Sequence, residues 1–223
     1  MLALITGTAI FLALMAGIFA PLEGWFPRAA LRPSRRTIAL CVGLLFADVL
    51  AMEWIGGAIL DAAAALSRAS EGASGWRIAA ALGLAEVAGY WAHRWMHRVP
   101  WLWRFHAVHH APRELFWLEA WRQHPVDFVI HGVIVGLPGA LLGASLAEIG
   151  AVVLLRKTYT TFLHANVRWR LRWLEPWVAT PAYHAIHHSH DPRDFDRNFA
   201  GMLPALDRVF GTGSRQAAAE PRA

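Results

Sequence analysis

Residues 93–110 read HRWMHRVPWLWRFHAVHH, and this stretch organises the chain. It carries five of the twelve histidines. His93 and His97 are four residues apart, and His106 precedes His109 by three and His110 by four. On a helix those spacings put the rings on one face, about a turn apart. Pro100 lies between the two groups and breaks or bends the helix there, so the groups can point at one place from different directions. A second cluster, His184, His187 and His188 in HAIHH, repeats the spacing of HAVHH. Together they offer more imidazoles than the three or four protein ligands that one ion commonly takes, which points to two metal ions.

Working outward, all twelve histidines fall between positions 93 and 190. Scattered structural histidines would not segregate so sharply. Imidazole suits iron, copper, zinc and nickel. Haem needs only a pair of axial ligands, and a hydrolytic HExxH zinc site needs a Glu where HRWMH has Arg. A storage tract would be low-complexity, whereas these histidines are framed by Trp, Pro and apolar residues. The eight histidines of the three motifs form the core set; His164 and His124 join them as candidates. His131, inside an apolar run, reads as a packed or hydrogen-bonded residue, and His190 as exposed or as a support behind the ligands. Nearby acceptors for the second ring nitrogens are Glu86, Glu114, Glu119, Asp127, Asp191, Asp194, Asp196 and Asn198.

The setting is membrane-like. The apolar fraction is 56%, against about 45–50% for soluble domains, and the mean hydropathy is +0.34. Twelve tryptophans suit membrane–water interfaces. The net charge of +5 comes from arginines that flank apolar segments, which reads as a positive-inside bias and not as nucleic-acid binding. The lone Cys41 excludes an internal disulfide and reads as an inert core or lipid-facing residue.

The expected fold is all-α: an integral-membrane helical bundle of about four to five spans with a cytosolic histidine-rich cap. Residues 2–20 are uncharged and lack the basic start of a signal peptide, so they read as a retained span. Pro21 and Pro27 mark a turn after it. The loop 28–36 holds four arginines and is expected in the cytoplasm. Residues 37–60 form a second span containing Asp48 and Glu53. Residues 61–75 form a far-side loop. Residues 76–92 form a third span that delivers the first histidines. Residues 126–163 are broken at Pro138–Gly139, giving two short spans or a re-entrant hairpin. The expected divisions are 1–84 for N-terminal membrane helices, 85–212 for the histidine-rich domain and 213–223 for a flexible tail. This topology puts the N-terminus outside and the metal site and C-terminus on the cytoplasmic side.

The motifs carry a resemblance. EVAGYWAHRWMH (86–97), PWLWRFHAVHH (100–110), WRQHP (121–125), FLHANV (162–167), TPAYHAIHH (180–188) and DRNFAGMLPALDRVFGT (196–212) occur in the order found in the fatty acid hydroxylase/sterol desaturase superfamily. The chain resembles those integral-membrane di-iron oxygenases over about residues 85–212. The resemblance implies two iron ions held by His93, His97, His106, His109, His110, His164, His184, His187 and His188, with His124 a tenth. Glu86, Asp127, Asn166, Asp196 and Asn198 become the candidate acceptors behind the rings. It implies O2 as co-substrate, a lipid substrate and hydroxylation of a C–H bond, with desaturation by the same site as the alternative. A non-catalytic or zinc-loaded membrane metal-binding protein is the alternative of another class. Glu86 where Asp is usual, Phe199 for Tyr, Leu206 for Trp and Trp121 for a small residue depart from the family's pattern without touching the histidines. Neither a dinucleotide fingerprint nor a cysteine cluster is present, so the electrons imply a separate ferredoxin- or cytochrome-type donor. Arg94, Arg98, Arg168 and Arg172 form a basic surface that suits an acidic partner.

Overall fold

The computed structural model describes residues 1–66, 75–169, 171 and 173–214. Nine α-helices build the described residues: α1 Leu2–Trp25, α2 Arg35–Ala51, α3 Gly57–Leu66, α4 Gly75–Arg98, α5 Pro100–His110, α6 Pro125–Leu141, α7 Leu146–His164, α8 Pro181–His187 and α9 Ala205–Val209. A π-helical turn, Met52–Gly56, joins α2 to α3, and a 3-10 turn, Trp117–Trp121, lies between α5 and α6. The described residues contain no strand, only an isolated bridge between Pro27 and Val167.

Two helical stretches are long and apolar enough to cross a membrane: Leu2–Trp25 and the continuous run Arg35–Ala63. Pro125–Leu141 is apolar but shorter. Helices α4, α6 and α7 pack with these two into one bundle. Close approach within it depends on α6: a Cβ at Gly136 would meet Leu60 at 3.0 Å and Ile149 at 3.1 Å, so the bare backbone there lets α3 and α7 approach.

Several sequence expectations are corrected. α1 runs through Pro21 to Trp25, so the turn follows Trp25. A proline removes one backbone donor and one helical bond, which a long apolar helix tolerates. The second helix begins earlier than residue 37, because Ser34 Oγ accepts the Thr37 N–H at 3.1 Å and caps Arg35. It is interrupted by the π-turn, which periodicity did not reveal. The break in 126–163 lies beyond Pro138–Gly139. Pro138 sits in the last turn of α6, and the chain reverses over residues 142–145. Gly143 supplies the left-handed conformation there, at φ 78°. Ser145 and Glu148 then form a reciprocal capping box that starts α7. Residues 61–66 of the expected loop 61–75 belong to α3 and Gly75 opens α4; residues 67–74, together with Arg170, Arg172 and the tail beyond Ser214, lie outside the described residues.

One end of the bundle is tied together by polar contacts. Glu23 Oε1, near the end of α1, accepts the N–H groups of Trp117 and Asn166, each at 2.7 Å. Arg28 N–H donates to the Asn166 carbonyl at 3.0 Å, and the Asn166 amide donates to the Ala29 carbonyl at 2.8 Å. The arginine-rich 28–36 loop therefore starts beside the end of α7, where His164 stands. An aromatic cluster lies under this end: Phe19 stacks on Trp117 at 6.4 Å, and Phe11 meets Trp121 edge-on at 5.4 Å. Cys41 is buried in it, with Sγ 3.6 Å from Glu119 Oε2.

Candidate metal centre

Four helix ends converge at the tied end of the bundle. α4 finishes with His93 and His97, one turn apart on one face. Val99 is extended and Pro100 opens α5, so the chain bends and presents His106, His109 and His110 from a second direction. α7 ends on His164. Thr180 Oγ1 accepts the Tyr183 N–H at 3.1 Å and caps the short α8, which brings His184 and His187, with His188 just beyond.

The nine histidines fall into two groups. His93, His97, His106, His110 and His187 form one, and His109, His164, His184 and His188 form the other. Within each group one ring nitrogen per residue lies within 4.8 Å of all the others. The groups adjoin, since the rings of His110 and His188 stack at 4.3 Å. The division cuts across the motifs: His109 separates from His106 and His110, and His187 from His184 and His188.

The rings are held from behind. His93 Nδ1 donates to the Phe199 carbonyl at 2.9 Å, His187 Nδ1 to that of Arg197 at 2.7 Å, and His164 Nδ1 to that of Thr160 at 2.8 Å. His109 Nδ1 reaches the Arg122 carbonyl at 3.3 Å. His106 Nδ1 contacts the Asp127 carboxylate at 3.1 Å. Each donation leaves Nε2 as the acceptor nitrogen. The Nε2 atoms of His93, His106, His164, His184, His187 and His188 are buried and have no hydrogen-bond partner. Buried imidazole nitrogens are rarely left unpaired, and six in one place fit a metal-binding donor set. His97 Nε2 and His110 Nε2 lie 3.1 Å apart, so a proton or a cation has to lie between them.

Burial, and after it the neighbouring imidazoles, hold His109, His110, His184 and His188 well below the ordinary histidine value. Burial pushes His187 down to about 3, against its contact with the Arg197 carbonyl. These rings are neutral near pH 7, the form that binds metal.

The candidate acceptors divide. Asp127 touches His106 directly. Asp196 lies 3.6 Å from His97 Nδ1 and equally far from Arg98. Asn198 supports the site through backbone: its amide donates to the Tyr183 carbonyl at 3.0 Å, and its Oδ1 accepts the Ser214 N–H at 2.8 Å. Asp196 and Asn198 are left-handed, at φ 59° and 56°, and they flank Arg197, whose carbonyl takes His187. Glu86 pairs with Arg156 and accepts the Met202 N–H at 3.2 Å, so it holds helices and the C-terminal loop and not a ring. Asn166 holds the 28–29 backbone.

His124 stands outside both groups. It caps α6, with Nδ1 accepting the Val126 N–H at 3.1 Å, and its ring packs on Phe105 at 4.8 Å. Pro125 opens that helix, which turns His124 into a cap and its acceptor nitrogen toward the backbone. His131 lines the site cavity, with its ring 6.4 Å from that of His93. His190 Nε2 donates to the Pro112 carbonyl at 3.2 Å.

Sequence reasoning missed Asp207. It is fully buried and accepts from the Phe199 and Ala200 N–H groups at 2.9 and 2.8 Å, from the Tyr183 hydroxyl at 2.7 Å and from the Thr212 hydroxyl at 2.6 Å. It thereby fixes the loop whose carbonyls hold His93 and His187. Its position in the closing DRVFGT was a signal; its role was not. A cavity of about 110 Å3 opens beside the groups, lined by His93, His106, His109, Lys157, Arg156 and Phe199 among others.

The fatty acid hydroxylase family matches residues 78–212, and the chain belongs to that family. It is similar to an ornithine lipid hydroxylase of Rhizobium tropici, 34% identical over 140 residues, which is 61% of this chain and 41% of that protein. It is also similar to an alkylglycerol monooxygenase of Danio rerio, 29% identical over 127 residues, or 57% of this chain and 28% of that protein. A Dictyostelium discoideum protein named for methylsterol monooxygenase activity is 29% identical over 128 residues, 56% of this chain and 46% of that protein. The matches span less than half the length of these relatives. No solved structure matches the chain.

Proposed function

We propose that the chain is a membrane-bound, non-haem di-iron oxygenase that hydroxylates a C–H bond of a lipid, using O2 and electrons from a separate carrier protein. The observation that carries this reading is the pair of adjoining histidine groups with unpartnered Nε2 atoms. Family membership and the monooxygenase and hydroxylase names of the relatives support it.

In this reading His93, His97, His106, His110 and His187 hold one iron, and His109, His164, His184 and His188 hold the other. Bound iron supplies reductive activation of O2 at neutral pH, chemistry that protein side chains lack. The chain's own part is placement. The carbonyls of Phe199, Arg197 and Thr160 and the Asp127 carboxylate orient the rings before any ion arrives. Phe199, with no exposed surface, packs against the rings of His93, His97 and His187 and keeps water from that side. The cavity beside the groups brings a substrate carbon next to them.

The location of the arginines supports a cytoplasmic site in a multi-pass membrane protein. The 28–36 loop starts beside His164, and Arg94, Arg98 and Arg104 flank the first histidines. Elemental analysis of detergent-purified protein tests the metal, and lipid profiling of an expressing strain tests the reaction. About two irons per chain, with a new hydroxylated lipid, is the expected result. Zinc that does not exchange for iron, or an unchanged lipid profile with iron bound and a reducing donor supplied, overturns it.

A further inference from the structure

Two cavities meet inside the bundle. The first is the histidine-lined cavity of about 110 Å3. The second is a groove of about 560 Å3 between the start of α1, the α2–α3 helix and α7. Met52, Phe128, Val153 and Lys157 line both, so these four side chains form the wall between them.

The groove exists because α1 is fastened at one end. Phe11, Leu12, Met15, Ala16, Phe19 and Leu22 pack into the aromatic cluster, and no residue before Phe11 belongs to it. Gly7 on α1 and Gly150 on α7 face the groove, and a Cβ at either would meet nothing within 4 Å. The lining is mostly apolar. Its polar members are few: the Thr8 hydroxyl donates to the Leu4 carbonyl at 2.8 Å, Glu53 is exposed, the Lys157 ammonium donates to the Ala120 carbonyl and Gln123, and the Trp121 indole nitrogen is buried without a hydrogen-bond partner. Such a groove accepts hydrocarbon, while a polar head group inside it would lose its hydrogen bonds.

Met52 opens the π-turn, a feature frequent at functional sites. Its thioether lies between two glycines: a Cβ at Gly132 would meet Sδ at 3.0 Å, and one at Gly56 would collide with it. Methionine is unbranched and has three rotatable bonds, so it can swing where a branched side chain could not.

We propose that Met52 gates a hydrocarbon channel, through which an unbranched alkyl or acyl chain runs from the histidine cavity into the groove. This rests on the lipid oxygenase reading. The polar end of the lipid stays on the cavity side, where the lining is more polar and includes Gln123, His131, Arg156 and Lys157. The C–H bond held at the histidines then belongs to the part of the chain next to the polar end. Fused-ring and branched lipids do not pass Met52.

The test needs no turnover. Full-length protein in phosphatidylcholine nanodiscs is labelled with a straight-chain fatty acid bearing a diazirine at its methyl end, and the adducts are mapped by mass spectrometry. Labelling of Phe11, Val49 and Met52 is expected, with Gly150→Phe reducing it by about tenfold or more while iron content stays at the parent value. Gly7→Phe fills the same groove from the opposite wall and serves if Gly150→Phe loses iron. Met52→Ala is expected to admit a methyl-branched diazirine acid that the parent excludes. Label confined to the outward-facing Ile10, Ile18 and Ile38, or groove labelling that neither Phe variant reduces, overturns the channel. Groove labelling in a protein that hydroxylates no lipid overturns the oxygenase reading and leaves the channel standing; a hydroxylated lipid without groove labelling does the reverse.

Discussion

His106 is held by Asp127: its Nδ1 lies 3.1 and 3.2 Å from the two carboxylate oxygens, and both side chains are buried. Of the ring nitrogens anchored in this site by a hydrogen bond, this is the one whose acceptor is a charged side chain and not a carbonyl. The carboxylate raises the basicity of the opposite nitrogen and fixes the ring plane. Asp127→Asn keeps the shape and removes the charge. It is expected to weaken iron retention by about 10- to 100-fold, measured as the iron-to-protein ratio after a graded chelator challenge. Unchanged retention would remove Asp127 from the site's supporting groups.

Asp207 tests whether the C-terminal loop is part of the centre. Removing its carboxylate leaves the Phe199 and Ala200 N–H groups and two hydroxyls without their acceptor. Asp207→Ala is expected to destabilise the protein by about 3 kcal/mol or more, and to release iron because the Phe199 and Arg197 carbonyls shift. Thermal unfolding in detergent and iron content read the two effects separately.

Glu86 and Arg156 form a buried ion pair across α4 and α7. Breaking it from one side strands the other charge. Glu86→Ala is expected to cost about 3–5 kcal/mol, and the double variant Glu86→Leu/Arg156→Met considerably less. A double variant as damaged as the single one would show that the Met202 contact of Glu86, and not the pair, carries its weight.

Acid is expected to destabilise the metal-free protein. His109, His110, His184, His187 and His188 have folded-state values below the ordinary histidine value near 6.5. Above about pH 6.5 both folded and unfolded forms are neutral, and stability is flat with pH. As pH falls below that point the unfolded chain takes up protons that the folded chain refuses, and each ring costs about 1.4 kcal/mol per pH unit until its folded value is reached. Melting temperatures of chelator-treated protein should therefore fall steeply below about pH 6.5. A flat profile through this range would mean that the rings are not buried in the metal-free state.

Much of this architecture was legible in residue order. Nine of the ten histidines singled out by spacing and motif converge at one end of an all-helical bundle. The tenth, His124, looked the same in one dimension. Its immediate neighbour Pro125 makes it a helix cap, and the direction of its nitrogen depends on a backbone angle that spacing does not encode. The π-turn at Met52 was equally silent, because one extra residue in a helical turn leaves an apolar run apolar.

Helix, membrane affinity and a polyhistidine donor set follow from local chemistry: apolar length, the turn-by-turn repeat of imidazoles, and proline at helix starts. The sorting of the rings into two groups does not. It places His109 away from its neighbours in HAVHH because α5 presents two faces, one toward α4 and one toward α7 and α8. The acceptors behind most anchored rings are backbone carbonyls, which every residue possesses and no side-chain pattern marks. The carbonyls of Arg197 and Phe199 reach His187 and His93 because Asp207, Asn198 and Tyr183 fold residues 196–200 back over α4 and α8, whereas that of Thr160 lies one turn before His164 on α7 itself. Long-range packing, and not composition or spacing, therefore chose which nitrogens face one another.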